Sequence, residues 1–157
     1  MGLTREQAQQ ASDITFEEVY VPEWMSGDDR KTLAEVESKL DNLNGDDPAL
    51  RSKLEQEQTE LRSRGLCFVW SLTAFECENL QSDTQKHLGK DKQHNTSGFF
   101  ARLVVATVRD MEGNPLFTSK DVGWLSKKSF KVLNRIANVA LRLSGLSKED
   151  QDEILKN

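Results

Sequence analysis

Residues Phe99 to Gly145 read FFARLVVATVRDMEGNPLFTSKDVGWLSKKSFKVLNRIANVALRLSG, and their reading decides the fold. Phe99, Phe100, Leu103, Val104, Ala106 and Val108 make a helix apolar nearly all round, which has to be buried. Asp110-Met111-Glu112-Gly113-Asn114-Pro115 then stops it, because Gly113 can take positive φ and Pro115 disfavours helix at the residue before it. Leu116-Phe117 gives a short apolar contact. Thr118-Ser119-Lys120-Asp121 reads as an N-cap with an acid three residues later. A second long helix is predicted from about Ser126, with Phe130, Leu133, Ile136, Ala137, Ala140, Leu141 and Leu143 on one broad face. Gly145 takes the C′ position and Leu146 the apolar C″ contact of a Schellman ending.

Outward from this pair the chain thins. It has 157 residues, about one domain's worth, with 36 % hydrophobic and 30 % charged residues. The net charge of −5 and the lack of any Lys/Arg run argue against a nucleic-acid or anionic-membrane binder. No apolar window is long enough for a membrane span, and the polar, Gln-rich start is not a secretory signal. A single cytoplasmic domain is expected, spanning 1–157. Its first dozen residues, Met1 to Ser12, lack apolar rhythm and read as disordered or frayed.

Ile14 to Val21 (ITFEEVYV) is rich in β-branched and aromatic residues and reads as a strand closed by Pro22. Val19 and Val21 share one parity while Ile14 and Phe16 take the other, which points to a bulge or bend near Glu17-Glu18. Its partner is Leu66 to Leu72 (LCFVWSL), with Leu66, Phe68 and Trp70 on one face and Cys67 and Val69 on the other. Between the strands, Ser26 to Arg64 contains no aromatic residue and is dense in charge. Leu33, Val36, Leu40 and Leu43 step at helical spacing, as do Leu50, Leu54 and Leu61. Asn44-Gly45 ends the first run, and Asp47-Pro48 begins the second with a cap and a proline at N1. This is an antiparallel αα-hairpin with a narrow seam, inserted at the tip of a β-hairpin. It is either solvated scaffold or a projecting arm that binds a partner.

After the second strand, Thr73 and Glu76 form a capping box for a short helix to about Gln81, with Phe75 and Leu80 facing the core and Cys77 beside them. Ser82 to Gly98 reads as a polar connector around Leu88. At the C-terminal end Ser147 is an N-cap, with Glu149 and Asp150 favoured in its first turn. Ile154 and Leu155 either pack back on the helices or anchor a partner. The fold class is therefore α+β and predominantly helical, with a small β-hairpin, core helices over 66–157 and an inserted helical pair over 26–64.

The chemistry-bearing residues do not converge. Cys67, Cys77, His87 and His94 have spacings that match no common zinc pattern, so structural cysteines and surface histidines are expected, in a reducing compartment. No phosphate loop, HExxH or nucleophile elbow occurs, and the acids are spread along helix faces. No catalytic residue, metal or cofactor is assigned. The residues themselves point to a small binding or assembly protein.

The order of features resembles the tail assembly chaperones of long-tailed (siphovirus-type) bacteriophages. Matching segments are Val19-Tyr20-Val21-Pro22-Glu23-Trp24, Phe68-Val69-Trp70-Ser71-Leu72-Thr73, Arg102-Leu103-Val104 through Val108, and Asp110 through Gly113. They continue with Leu116-Phe117-Thr118-Ser119-Lys120-Asp121-Val122, Leu143-Ser144-Gly145-Leu146-Ser147 and the ending Lys156-Asn157. The resemblance covers the two strands and about the last 60 residues, and leaves out Ser26 to Arg64. It implies a non-enzymatic protein that keeps the tape-measure protein soluble and helps recruit tail-tube subunits in the host cytoplasm, absent from the mature virion. It also implies a longer frameshifted form that contacts the tube protein. Trp24, Phe117, Trp124, Ile154 and Leu155 are the candidate partner-binding residues, and self-association fits a small holdase on a long client. An adaptor that binds a partner helix through the charged hairpin is the alternative.

Overall fold

The computed structural model describes residues 2–45, 47–86 and 98–146. Their elements are α1 (Arg5–Gln10), β1 (Phe16–Tyr20), α2 (Gly27–Asp41), α3 (Pro48–Ser63), β2 (Leu66–Trp70), α4 (Ala74–Lys86), α5 (Phe99–Thr107), β3 (Val108–Arg109), α6 (Val122–Leu125) and α7 (Phe130–Leu143). Single 3₁₀ turns fall at Pro22–Trp24 and Ser119–Asp121. The fold is α+β, mainly helical, with a small antiparallel sheet. The chain divides into two compact units, Met1–Glu17 with Phe68–Asn157, and Glu18–Cys67.

The discontinuous unit is built on α5 and α7, which pack together. Phe99, Ala101, Leu103 and Val104 bury one side of the pair, and Val132, Leu133, Ile136, Ala137, Ala140 and Leu141 the other. The apolar periodicity thus locates the core, as expected from helices that must hide most of their surface. α7 ends as its sequence demands: Gly145 has φ of 72°, the Gly145 N–H donates to the Arg142 carbonyl (3.1 Å), and the Leu146 N–H to the Leu141 carbonyl (3.0 Å). Gly113, at φ 88°, likewise turns the chain after β3. There the Asp110 carboxylate accepts from the backbone N–H groups of Glu112 and Asn114, both at 2.9 Å.

Four expectations are corrected in this unit. The sheet has three strands, ordered β1-β2-β3, because the chain leaving α5 extends at Val108 and pairs Val69 with Val108 and Phe68 with Arg109. β1 alternates between exposed and covered residues without interruption, so no bulge marks Glu17-Glu18. The second long helix starts at Phe130 and not near Ser126, since Leu125 is fully buried from α6 and the backbone extends at Ser129 before α7 begins. The N-terminal segment is not frayed throughout. Thr4 and Gln7 form a capping box that holds α1, although α1 buries none of its residues.

The start of α4 follows the sequence more closely. The Thr73 N–H (3.3 Å) and hydroxyl (2.9 Å) both donate to Glu76 Oε1, and the Glu76 N–H donates to Thr73 Oγ1 (3.1 Å). The other carboxylate oxygen takes the Arg109 guanidinium, which also donates to the Ala106 carbonyl (3.1 Å). One side chain thereby ties α4 to β3 and to the end of α5. Leu80 is buried as expected, but Phe75 is 71 % exposed. Phe75 precedes Leu80 by five positions, roughly 140° around a helix of 3.6 residues per turn, so the two cannot share a face. α4 also runs on to Lys86, past the predicted end at Gln81. The remainder of the predicted connector, including Leu88, lies outside the described residues.

The continuous unit is the helical hairpin, inserted in the chain between β1 and β2. Ser26 caps α2 by accepting from the Asp29 N–H, and Asp47 caps α3 by accepting from the Leu50 N–H, each at 3.1 Å. Leu33, Val36, Leu54 and Leu61 form the seam, joined by Met25, with Leu40 and Leu43 packed against it. Leu50, expected in that row, is 41 % exposed beside the turn that joins the two helices. Arg62–Glu37 (2.8 Å) and Arg64–Asp29 (2.7 Å) bridge the helices at the surface, where such pairs add little stability.

Candidate functional site

The candidate surface grows from the capping box after β3. The Thr118 N–H donates to Asp121 Oδ2 (2.7 Å) and starts the 3₁₀ turn that leads into α6. Asp121 Oδ1 accepts from the indole N–H of Trp124 (2.9 Å), so a single carboxylate fixes both the turn and the ring. The Thr118 backbone bond, followed by the Trp124 bond, holds the Asp121 carboxyl below its ordinary range. Phe117 meets Trp124 edge-on, with centroids 5.8 Å apart, and the Lys128 ammonium stands 5.8 Å above the indole. Trp124 remains 44 % exposed despite these contacts.

The surface continues across the start of α7. Phe130 is 63 % exposed and meets Phe100 edge-on at 5.2 Å. Beside it lies a cavity of about 120 Å³, floored by Phe100, Ala101 and Leu133 and rimmed by Lys128 and Phe130. Phe130 was expected in the core, but at the first position of α7 its ring stands at the rim. Phe117 and Trp124 are therefore brought together, and Phe100, Lys128 and Phe130 join a surface that the sequence reading did not assemble. A signal was available: Lys127-Lys128 breaks the apolar spacing just before Phe130.

The other candidates are placed differently. Trp24 belongs to the other compact unit, half-buried in its 3₁₀ turn. Ile154 and Leu155, with Ser147, Glu149 and Asp150, lie outside the described residues. A further aromatic group stands on the sheet, where Phe16 stacks on Trp70 (4.7 Å) and meets Phe68 edge-on (5.9 Å). The Trp70 indole there donates to the Asp110 carbonyl (3.1 Å).

Cys67 and Cys77 are free and half-buried. Burial pushes both thiols up, and Glu78 adds to the rise at Cys77, away from the thiolate that nucleophilic chemistry needs. Among the described residues no group of three or more His, Cys, Asp or Glu could hold a metal, and no helix is long and apolar enough to cross a membrane. His87 and His94 lie outside the described residues.

The Asp121–Trp124 bond gives a pH test. A carboxyl whose pKa is depressed on folding contributes above its unfolded value, and that contribution is lost as pH falls through the depressed folded value. The fluorescence assigned to Trp124, by difference from Trp124→Phe, should therefore hold steady through the ordinary carboxylate range and change only below it. A midpoint within the ordinary range would contradict the bond, and Asp121→Asn should abolish the transition. No protein-family model, curated protein or solved structure matches this chain.

Proposed function

We propose that this protein is a tail assembly chaperone of the kind made by long-tailed bacteriophages. It binds the tape-measure protein without catalysis, keeps it soluble, and helps bring tail-tube subunits to it in the host cytoplasm, leaving before the virion is mature. Contact with the tube protein is assigned to a longer, frameshifted form, and self-association lets several copies cover one client. The observation that carries the reading is the surface of Phe117, Trp124 and Phe130: aromatic rings held by capping and edge contacts but still open to a partner. A holdase needs such apolar surface on a stable scaffold rather than an enclosed reactive cleft.

Co-expression with a tape-measure fragment tests it. The fragment is expected to stay soluble and co-purify, and Trp124→Ala should weaken the complex at least about tenfold, as for a central aromatic anchor. Equal precipitation with and without this protein would refute the reading. A second reading, an adaptor working through the hairpin, is favoured by the groove beside the turn that joins α2 to α3, where Leu43, Leu50 and Leu54 meet Lys39 and Lys53. Replacing Ser26–Arg64 by a tight turn separates the two: the chaperone keeps its client, whereas the adaptor loses its partner.

A further inference from the structure

We propose that the Trp124–Phe130 surface accepts an acidic client segment, one whose apolar side chain enters the cavity beside Phe130 while flanking carboxylates meet the lysines around it. This deepens the chaperone reading by giving the bound segment its chemistry. The chain carries a net charge of −5, yet this surface is basic. Lys120, Lys127, Lys128 and Lys131 are all exposed, and no carboxylate occurs in the sequence between Asp121 and Glu149. Asp121, the acid closest to these lysines in sequence, is already engaged by Thr118 and Trp124. The lysines also stand at the wrong end of α7. That helix begins at Phe130, its N-cap Ser129 makes no side-chain cap bond, and its first turn holds no acid, so its positive end adds to their field. Charge of this kind is complementary to an anion.

The apolar part fixes what sort of anion. The cavity, about 120 Å³, is smaller than the ~150 Å³ space that admits benzene in a protein core, and suits one branched aliphatic side chain. A nucleic acid would instead need open aromatic faces for stacking. Here the Trp124 ring carries Lys128 above it and Phe117 at its edge, and Phe130 is set edge-on to Phe100. A second copy of this chain brings an excess of acids only in α2, and the apolar Leu33 and Val36 of that helix are already buried against Leu54 and Leu61 in their own seam. An acidic segment with a free apolar side chain satisfies both halves of the surface.

The test uses the full chain and three probes: a synthetic amphipathic peptide of leucine, alanine and glutamate, its lysine-for-glutamate counterpart, and a single-stranded oligothymidine. Tryptophan fluorescence and labelled-probe anisotropy report binding. The acidic peptide is expected to bind at least about tenfold tighter than the basic one and to weaken with added salt. The Lys127→Glu/Lys128→Glu variant should reverse that preference with an unchanged circular dichroism spectrum, while Lys39→Glu/Lys53→Glu on the hairpin should leave it intact. Equal binding of both peptides, tighter binding of oligothymidine, no binding at all, or a self-associated form that dissociates in Lys127→Glu/Lys128→Glu would each overturn the proposal. The tape-measure fragment separates the two levels. If it is kept soluble equally well by Lys127→Glu/Lys128→Glu, this inference fails and the chaperone reading stands. If the acidic peptide binds but the fragment still precipitates, the chaperone reading fails alone.

Discussion

Leu103→Ala should lower the stability of the scaffold by about 3–4 kcal/mol, the range for a large aliphatic side chain removed from a close-packed site. Leu103 is fully buried on α5, the helix that packs on α7 and also touches α4 and α6. Its loss empties a space inside a close-packed core, and rigid helices cannot collapse far into it. For a chain of this size the thermal midpoint should fall by roughly 10 °C. Urea unfolding followed by circular dichroism is the measurement. A loss under about 1 kcal/mol would mean that α5 is not central to the core.

The second large effect is expected at Glu76. Glu76→Ala removes the reciprocal half of the α4 capping box and leaves the Arg109 guanidinium, at a side chain only 20 % exposed, without its carboxylate. Arg109 Nε already lacks a partner among the described residues, so the group has little compensation within reach. A lost cap and a partly buried unpaired cation together should cost about 2–3 kcal/mol, less than a wholly buried pair because solvent still reaches both side chains. Glu76→Gln keeps an acceptor for Thr73 and should fall between wild type and alanine. Adding Arg109→Met to Glu76→Ala should restore part of the loss. If the two substitutions are simply additive in a double-mutant cycle, the link between α4 and β3 carries no energy.

What the sequence revealed was mostly local chemistry. Thr73 with Glu76, Asp47 with Pro48, Thr118 with Asp121, and Gly145 with Leu146 each set a helix boundary within a few residues, and each appears as read. The pairing of α2 with α3 was equally legible because the seam repeats through both. The misses needed information from further away. Val108 continues the apolar spacing of α5, and nothing in its neighbours announces that β2 will take it as a strand partner. Phe75 looked like core by composition, and only the rotation fixed by Leu80 and the Thr73 box turns it outward. The box at Thr4 and Gln7 went unread because no apolar face followed it.

The candidate surface shows the same division. The sequence marks Phe117 and Trp124 individually as anchors, but seven positions apart they give no sign of touching. The contact depends on the 3₁₀ turn that Thr118 and Asp121 impose. Periodicity points Phe130 inward only if a helix is already running at Ser126. With α7 starting at Phe130, that residue stands in the first turn and its ring reaches the rim of a cavity.

The division of the larger unit across the chain also governs how it can be completed during synthesis. The Ser71 N–H donates to the Thr15 carbonyl, and Arg142 pairs with Glu17 across 125 positions. Neither contact can close before the ribosome has released the later partner. The hairpin, in contrast, holds all of its own contacts within one uninterrupted stretch and can form as soon as α3 emerges. Once α2 and α3 have paired, Tyr20 and Leu66 no longer sit at the ends of a loose tether of some forty-five residues, and the entropy of closing that tether has already been met by local contacts. The inserted arm thus acts in time as well as in space, delivering β1 to β2 as a neighbour while the rest of the scaffold is still being made.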